Sequence, residues 1–352
     1  MSPKSFAILA GATVISVALA AYAVASRDVP VTSRPAGVAF APGLIDRANA
    51  VRTIKITGPG KTTLTLTQGE RGWTLAEKAG YPAKASEARE IVLQLANLQL
   101  VEAKTAQPDR LPRLELEDPG ADGSKSRLVE LLDAEGKPLA SAVVGKTRYS
   151  LYGGGRSGVY VRHPGDQQSW LAAGTLELPN DALDLIDMQI VDVPVADVAK
   201  VTLGVGGQEV VLTKKDATAG SFVLETPPVP EGRQFDPAKA DEIGGMLAAL
   251  SMQDVKPAKD VPTAPDARRS RVETFDGLVI ETTLSKVGEG DAAENWLTLQ
   301  ASVTDPAKPA AKRAEELQAR FDGWAYKVAP YLEDRLGAGL DDVLAEPTPN
   351  AS

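Results

Sequence analysis

A chain of 352 residues is long enough for two domains, each with an adequate core. Its 38 Lys and Arg against 47 Asp and Glu give a net charge of −9, which argues against polyphosphate, nucleic acid or an anionic lipid surface as the main ligand. With no Cys and a single His, His163, it has no disulfide, thiolate zinc site, thiol nucleophile or histidine cluster, so we expect no enzyme, no metal and no cofactor.

Residues 5–26 are an uncharged apolar run between Lys4 and Arg27. At 1.5 Å per residue this makes about 33 Å of helix, enough to cross a bilayer. The expectation is an uncleaved single-pass transmembrane anchor. A cleaved signal peptide is the alternative, because A-Y-A and A-V-A at 21–25 offer small-x-small cleavage sites. Lys4 on the short side orients the body outside the cytoplasm. Residues 27–48, with Pro30, Pro35, Pro42 and Gly43 and no periodicity, read as a flexible tether.

The chain then repeats itself. VRTIKI at 51–56, TLTLT at 63–67 and WTLAE at 73–77 form a predicted β-meander, and VAKVTL at 198–203, EVVLTK at 209–214 and FVLET at 222–226 form a second in the same order. Trp73 in the one matches Phe222 in the other. A helix follows each, over 84–99 and 237–251, because Ile91, Leu95 and Leu98 recur at one constant spacing as Ile243, Leu247 and Leu250, a single helical face. Asp236 and Pro237 give the second helix its N-cap and first turn. Past the helices Lys104 matches Lys256, then VELLD at 129–133 matches VETFD at 272–276, and Gly145 matches Gly288. GVYVRH at 158–163 and SWLAAG at 169–174 close the first unit as strands, and NWLTLQ at 295–300 and GWAYKV at 323–328 close the second. A short polar helix, KRAEELQAR, is inserted before Trp324, and residues 347–352 form a disordered tail.

The expected fold class is therefore α+β: two tandem duplicated units, 49–193 and 194–346, each a mostly antiparallel sheet with one long helix, after an N-terminal transmembrane helix.

The phosphate-loop patterns do not survive their context. GGGRSG at 153–158 fits G-x-G-x-x-G, but a strand follows where the pyrophosphate would need a helix N-terminus, so it reads as a hairpin loop. ASAVVGKT at 140–147 has Ala140 where a Walker A loop needs Gly. His163 lacks a triad-like setting, and Asp181, Asp184 and Asp187 read as the polar face of an amphipathic helix rather than a Ca²⁺ site. Tyr149, Tyr152, Arg156, Tyr160 and Arg162 surround the glycine loop in a chain with 5% aromatics, and Tyr and Arg are enriched at protein contacts. These five are the candidate partner-contact residues.

Pro82 and Ala83 entering the first helix, the Gly158, Tyr160, Val161, Arg162 strand and the GWAYKV to LDDVL stretch at 323–344 together resemble the domain-of-unknown-function family numbered 4340. The resemblance implies a bacterial protein with one N-terminal transmembrane helix and an extracytoplasmic body, of a kind often encoded beside ABC-transporter permeases and gliding-motility-type components. It transfers no site residues. The expected function is a non-catalytic, membrane-tethered accessory protein of an ABC-type transport or gliding-motility-like complex, with permease or related membrane subunits as partners. An envelope-binding module holding glycan or peptidoglycan is the alternative.

Overall fold

Ile54 and Ile56 alternate with Thr53, Lys55 and Thr57, a pattern that gives a strand one dry face. In the computed structural model, which describes residues 37–151 and 155–346, both isoleucines are buried and Lys55 is exposed. In chain order the strands begin with β1 (Val38–Ala39), β2 (Thr53–Thr57), β3 (Thr63–Gly69), β4 (Gly72–Leu75), β5 (Tyr81–Pro82), β6 (Gln99–Ala103) and β7 (Arg127–Leu132). They continue with β8 (Pro138–Leu151), β9 (Arg156–Arg162), β10 (Trp170–Ala173), β11 (Gln189–Val191), β12 (Val198–Leu203), β13 (Val210–Thr213) and β14 (Val223–Thr226). The last are β15 (Leu250–Ser251), β16 (Asp254–Pro257), β17 (Arg268–Thr274), β18 (Leu278–Val287), β19 (Glu294–Val303) and β20 (Trp324–Val328). The α-helices are α1 (Ala85–Asn97), α2 (Pro237–Gly244), α3 (Ala311–Phe321) and α4 (Glu333–Leu336).

The chain divides into two units, and neither is continuous in sequence. Of the described residues, the first takes those up to Arg71 together with those of 85–180; the second takes Gly72–Lys84 together with those from Asp181 onward. This corrects the boundary expected at 193. Leu185, Ile186 and Ile190 are buried, and β11 pairs with β15, which places them in the second unit.

In the first unit the sheet runs β1-β6-β10-β9-β8-β7-β2-β3. Helix α1 buries Ala88, Ile91, Val92, Leu95 and Ala96 along one stripe, and each large aliphatic side chain removed from water there contributes about 1.5–3 kcal/mol. Part of the expected tether is folded here: β1 pairs with β6, and Phe40 and Leu44 are fully buried, so residues 37–48 are packed onto the first unit through these two side chains.

In the second unit the sheet runs β14-β13-β12-β17-β18-β19-β20-β16. Its succession β16-β20-β19-β18-β17-β12-β13 follows the same connections as β6-β10-β9-β8-β7-β2-β3 of the first. Helix α3, the predicted polar helix, packs on β19 with Ala314 and Phe321 buried, and the Gln318 side chain accepts from Ala301 N at 2.8 Å.

The α+β class is corrected to a mainly β architecture, with 37% of residues in strands against 23% in helix. The reason is local. The second long helix stops after Gly244, where an added Cβ would lie 2.1 Å from the Phe222 ring, and a second glycine follows. Leu247 then sits in a turn, Ala249 takes a left-handed φ of 46° and Leu250 opens β15, so the i, i+4, i+7 spacing there belongs to three different structures. Among the described residues no helix is long and apolar enough to cross a membrane. The span expected over 5–26 and the tail at 347–352 lie outside the described residues.

Candidate functional site

Strand β8 has a neighbour on each side only at Val143 and Val144. It pairs with β7 from Pro138, opposite Leu132, to Val144, opposite Arg127, and with β9 from Val143, opposite Arg162, to Leu151, opposite Arg156. Because β7 starts at Arg127, β8 goes on beyond Val144 with β9 alone.

The departure is marked by Gly145. The segment Leu114–Leu116 crosses so closely that a Cβ at 145 would lie 2.1 Å from the Leu114 carbonyl oxygen and 2.9 Å from that of Glu115. Only glycine lets the two backbones approach this far. After the crossing, Lys146, Thr147, Arg148, Tyr149 and Ser150 are exposed one after another. A strand packed on a core alternates dry and wet; one that is wet on both faces has left it. Tyr149 is 83% exposed. Leu151 turns back and is buried, with Gly158 making room beside it, since a Cβ there would lie 3.0 Å from a Leu151 methyl carbon and 2.8 Å from the Ala172 carbonyl oxygen.

The five sequence-derived contact residues separate. Tyr149 stands on the exposed ribbon. Tyr152 lies outside the described residues, and Arg156 begins β9 opposite Leu151. Tyr160 is half-buried and packs on Leu111, Leu116 and Val143. Arg162 is not a surface contact: its side chain is 2% exposed and its guanidinium is spent on internal partners. Nε donates to the Leu116 carbonyl at 2.7 Å, one Nη to the Asp166 carbonyl at 3.1 Å, and the other to Asp118 at 2.5 Å, so Arg162 ties two loops to the end of β9. Composition favoured Arg162 because burial of an arginine leaves no mark in the sequence.

Two residues missing from that set, Lys146 and Arg148, lie on the ribbon. Lys146 Nζ donates to the Arg113 carbonyl at 3.1 Å and lies 3.9 Å from Glu115. A sequence signal for them exists: from Gly136 to Gly165 the chain contains Lys137, Lys146, Arg148, Arg156 and Arg162 and no Asp or Glu, within a molecule of net charge −9.

Other candidate chemistry resolves into structure. His163 stacks on Phe40 with ring centroids 4.2 Å apart. Asp181 accepts from Leu183 N at 2.8 Å while Asp184 accepts from Asp181 N at 3.1 Å, a reciprocal cap on a short 3₁₀ turn rather than a helix face. Asp187 pairs with Arg320 at 3.1 Å. Of the glycine run at 153–158, Arg156, Ser157 and Gly158 lie in β9, and the Walker-like stretch at 140–147 lies within β8.

The second unit holds an aromatic cluster. Tyr81 meets Trp324 edge-on at 4.9 Å and Tyr326 at 6.4 Å, and the Lys78 ammonium is 2.5 Å from Asp254. Burial pushes the Tyr81 phenol above its usual range, against the opposing pull of Arg320, and burial raises Tyr326 likewise. The Tyr326 hydroxyl donates to the Arg320 carbonyl at 3.1 Å. These groups fasten the β4–β5 hairpin to β16 and β20, and their polar atoms are taken up in doing so.

Residues 73–268, from β4 to the start of β17, match the family described as Domain of unknown function (DUF4340). No curated protein and no solved structure matches the chain. Because the match takes in more than half of the sequence, this chain belongs to the DUF4340 family.

Proposed function

We propose that the protein is a non-catalytic, membrane-tethered extracytoplasmic accessory protein of an ABC-type transport or gliding-motility-like complex, acting through protein contact. The observation that carries the reading is the β8–β9 ribbon, where five consecutive residues from Lys146 to Ser150 project polar, cationic and aromatic side chains into solvent. A run of strand whose own side chains all stand in solvent adds little packing to the fold and is well placed to be covered by another protein. The uncharged run at 5–26 supports the anchor, and with residues 37–48 folded only 27–36 stand between it and the body. Confinement to one membrane raises the effective concentration of partners, so individually weak contacts suffice.

The test is affinity purification from membranes of the full chain beside a version lacking residues 1–26 and exported by a cleavable signal. Recovery of ABC permease subunits with the anchored form, reduced with the released form, is the expected result. Recovery of neither, with retention on isolated cell wall, would replace this reading with the envelope-binding one.

A further inference from the structure

We propose that the open edge of β8 over Thr147–Ser150 takes up an extended, acidic segment of a partner protein by strand addition; this rests on the contact role proposed above and names its mode. Beyond Val144 the strand has β9 on one side and, among the described residues, no strand on the other. An unpaired edge presents a row of N–H and C=O groups that another chain can extend. A lipid headgroup surface has no matching row, which is why the geometry favours a protein.

Charge selects the kind of segment. The stretch from Gly136 to Gly165 is free of Asp and Glu in an otherwise acidic chain. Within it Arg162 is turned inward to Asp118, and Lys146 leans on the Arg113 carbonyl and Glu115. Within the exposed run 146–150, Arg148 is the cation that an incoming strand meets, with Tyr149 beside it as the aromatic contact. Complementary charge steers such an encounter and fixes its register, while the backbone bonds supply contact independent of side-chain identity.

The experiment uses the full chain in nanodiscs, with a short synthetic peptide of alternating Glu and Val as probe and the Lys and Val counterpart as control. The expected result is binding of the acidic peptide alone, with slowed hydrogen exchange at the amides of 147–150. Arg148→Glu, an exposed change that leaves the fold intact by circular dichroism, is expected to weaken binding about tenfold and admit the Lys peptide. Binding that leaves those amides unprotected overturns strand addition. So does binding of phosphatidylglycerol vesicles through Arg148 without peptide binding, which would assign the ribbon to lipid, or self-association abolished by Arg148→Glu, which would assign it to a second copy. Absence of any binding overturns it as well. If permease subunits copurify equally with wild type and Arg148→Glu, the accessory role stands and this docking mode fails; if they copurify with neither, the accessory role fails and the peptide result alone decides the edge.

Discussion

The guanidinium of Arg162 and the carboxylate of Asp118 meet at 2.5 Å, yet one side chain is 2% exposed and the other 83%. An ion pair with one end in water and the other inside is unequal in what each partner contributes. Arg162 also satisfies the Leu116 and Asp166 carbonyls, and its removal strips charge-assisted hydrogen bonds from buried groups. Arg162→Met should destabilise the first unit by about 2–4 kcal/mol, whereas Asp118→Asn should cost under about 1 kcal/mol. Urea unfolding of both variants measures the contrast, and equal losses would contradict it.

Gly145 should be intolerant of even one methyl group. Gly145→Ala places a Cβ against the Leu114 carbonyl, and forcing the two backbones apart should cost about 1–3 kcal/mol. Gly220→Ala is the control, since nothing lies within 4 Å of its Cβ position. The difference in denaturation midpoint between the two variants reports the crossing.

The packed start of the body gives a third expectation. Phe40 is fully buried and stacks on His163, so Phe40→Ala should lose about 3–5 kcal/mol, the loss expected for a core aromatic. A stretch acting only as a linker would accept the change without loss of stability.

Alkaline pH should weaken the second unit. Tyr81 and Tyr326 titrate above the ordinary tyrosine value of about 10, so the folded chain keeps protons that the unfolded chain gives up. Their contribution is fully present below about pH 10 and is lost as pH rises through the folded-state values. Tyr326→Phe should flatten this decline while costing about 1 kcal/mol at neutral pH for the bond to the Arg320 carbonyl. Thermal unfolding followed from about pH 8 to pH 11 tests both parts, and an unchanged slope in the variant would refute the assignment.

What could be read from the residues follows from what leaves a periodic trace. Ile54 and Ile56 alternate because their strand has one dry face, and Ile91 and Leu95 recur because α1 has one buried stripe. The spacing of Ile243, Leu247 and Leu250 carries the same mark without the helix, since two glycines and a left-handed Ala249 redirect the chain between them. Phe40 and Leu44 were hidden by prolines, because two anchors are too few to show a period. At the ribbon Tyr149 was legible as an aromatic near a glycine loop. Its exposure depends on where β7 begins and on the passage of Leu114–Leu116 over Gly145, both set by residues distant in sequence.

The detour of Gly72–Lys84 has a consequence for how the molecule is made. This hairpin leaves the ribosome before most of the first unit, yet the strands that receive it, β16 and β20, come after residue 250. At roughly 5–20 residues per second it waits for many seconds with Tyr81 unburied, while the sequences on either side of it can already fold. A fragment beginning at Asp181 would never receive it, and would leave the faces of Trp324 and Tyr326 uncovered and Asp254 without Lys78. Supplying the hairpin as a separate peptide should then restore solubility to that fragment, an assembly of two pieces that the intact chain performs on itself.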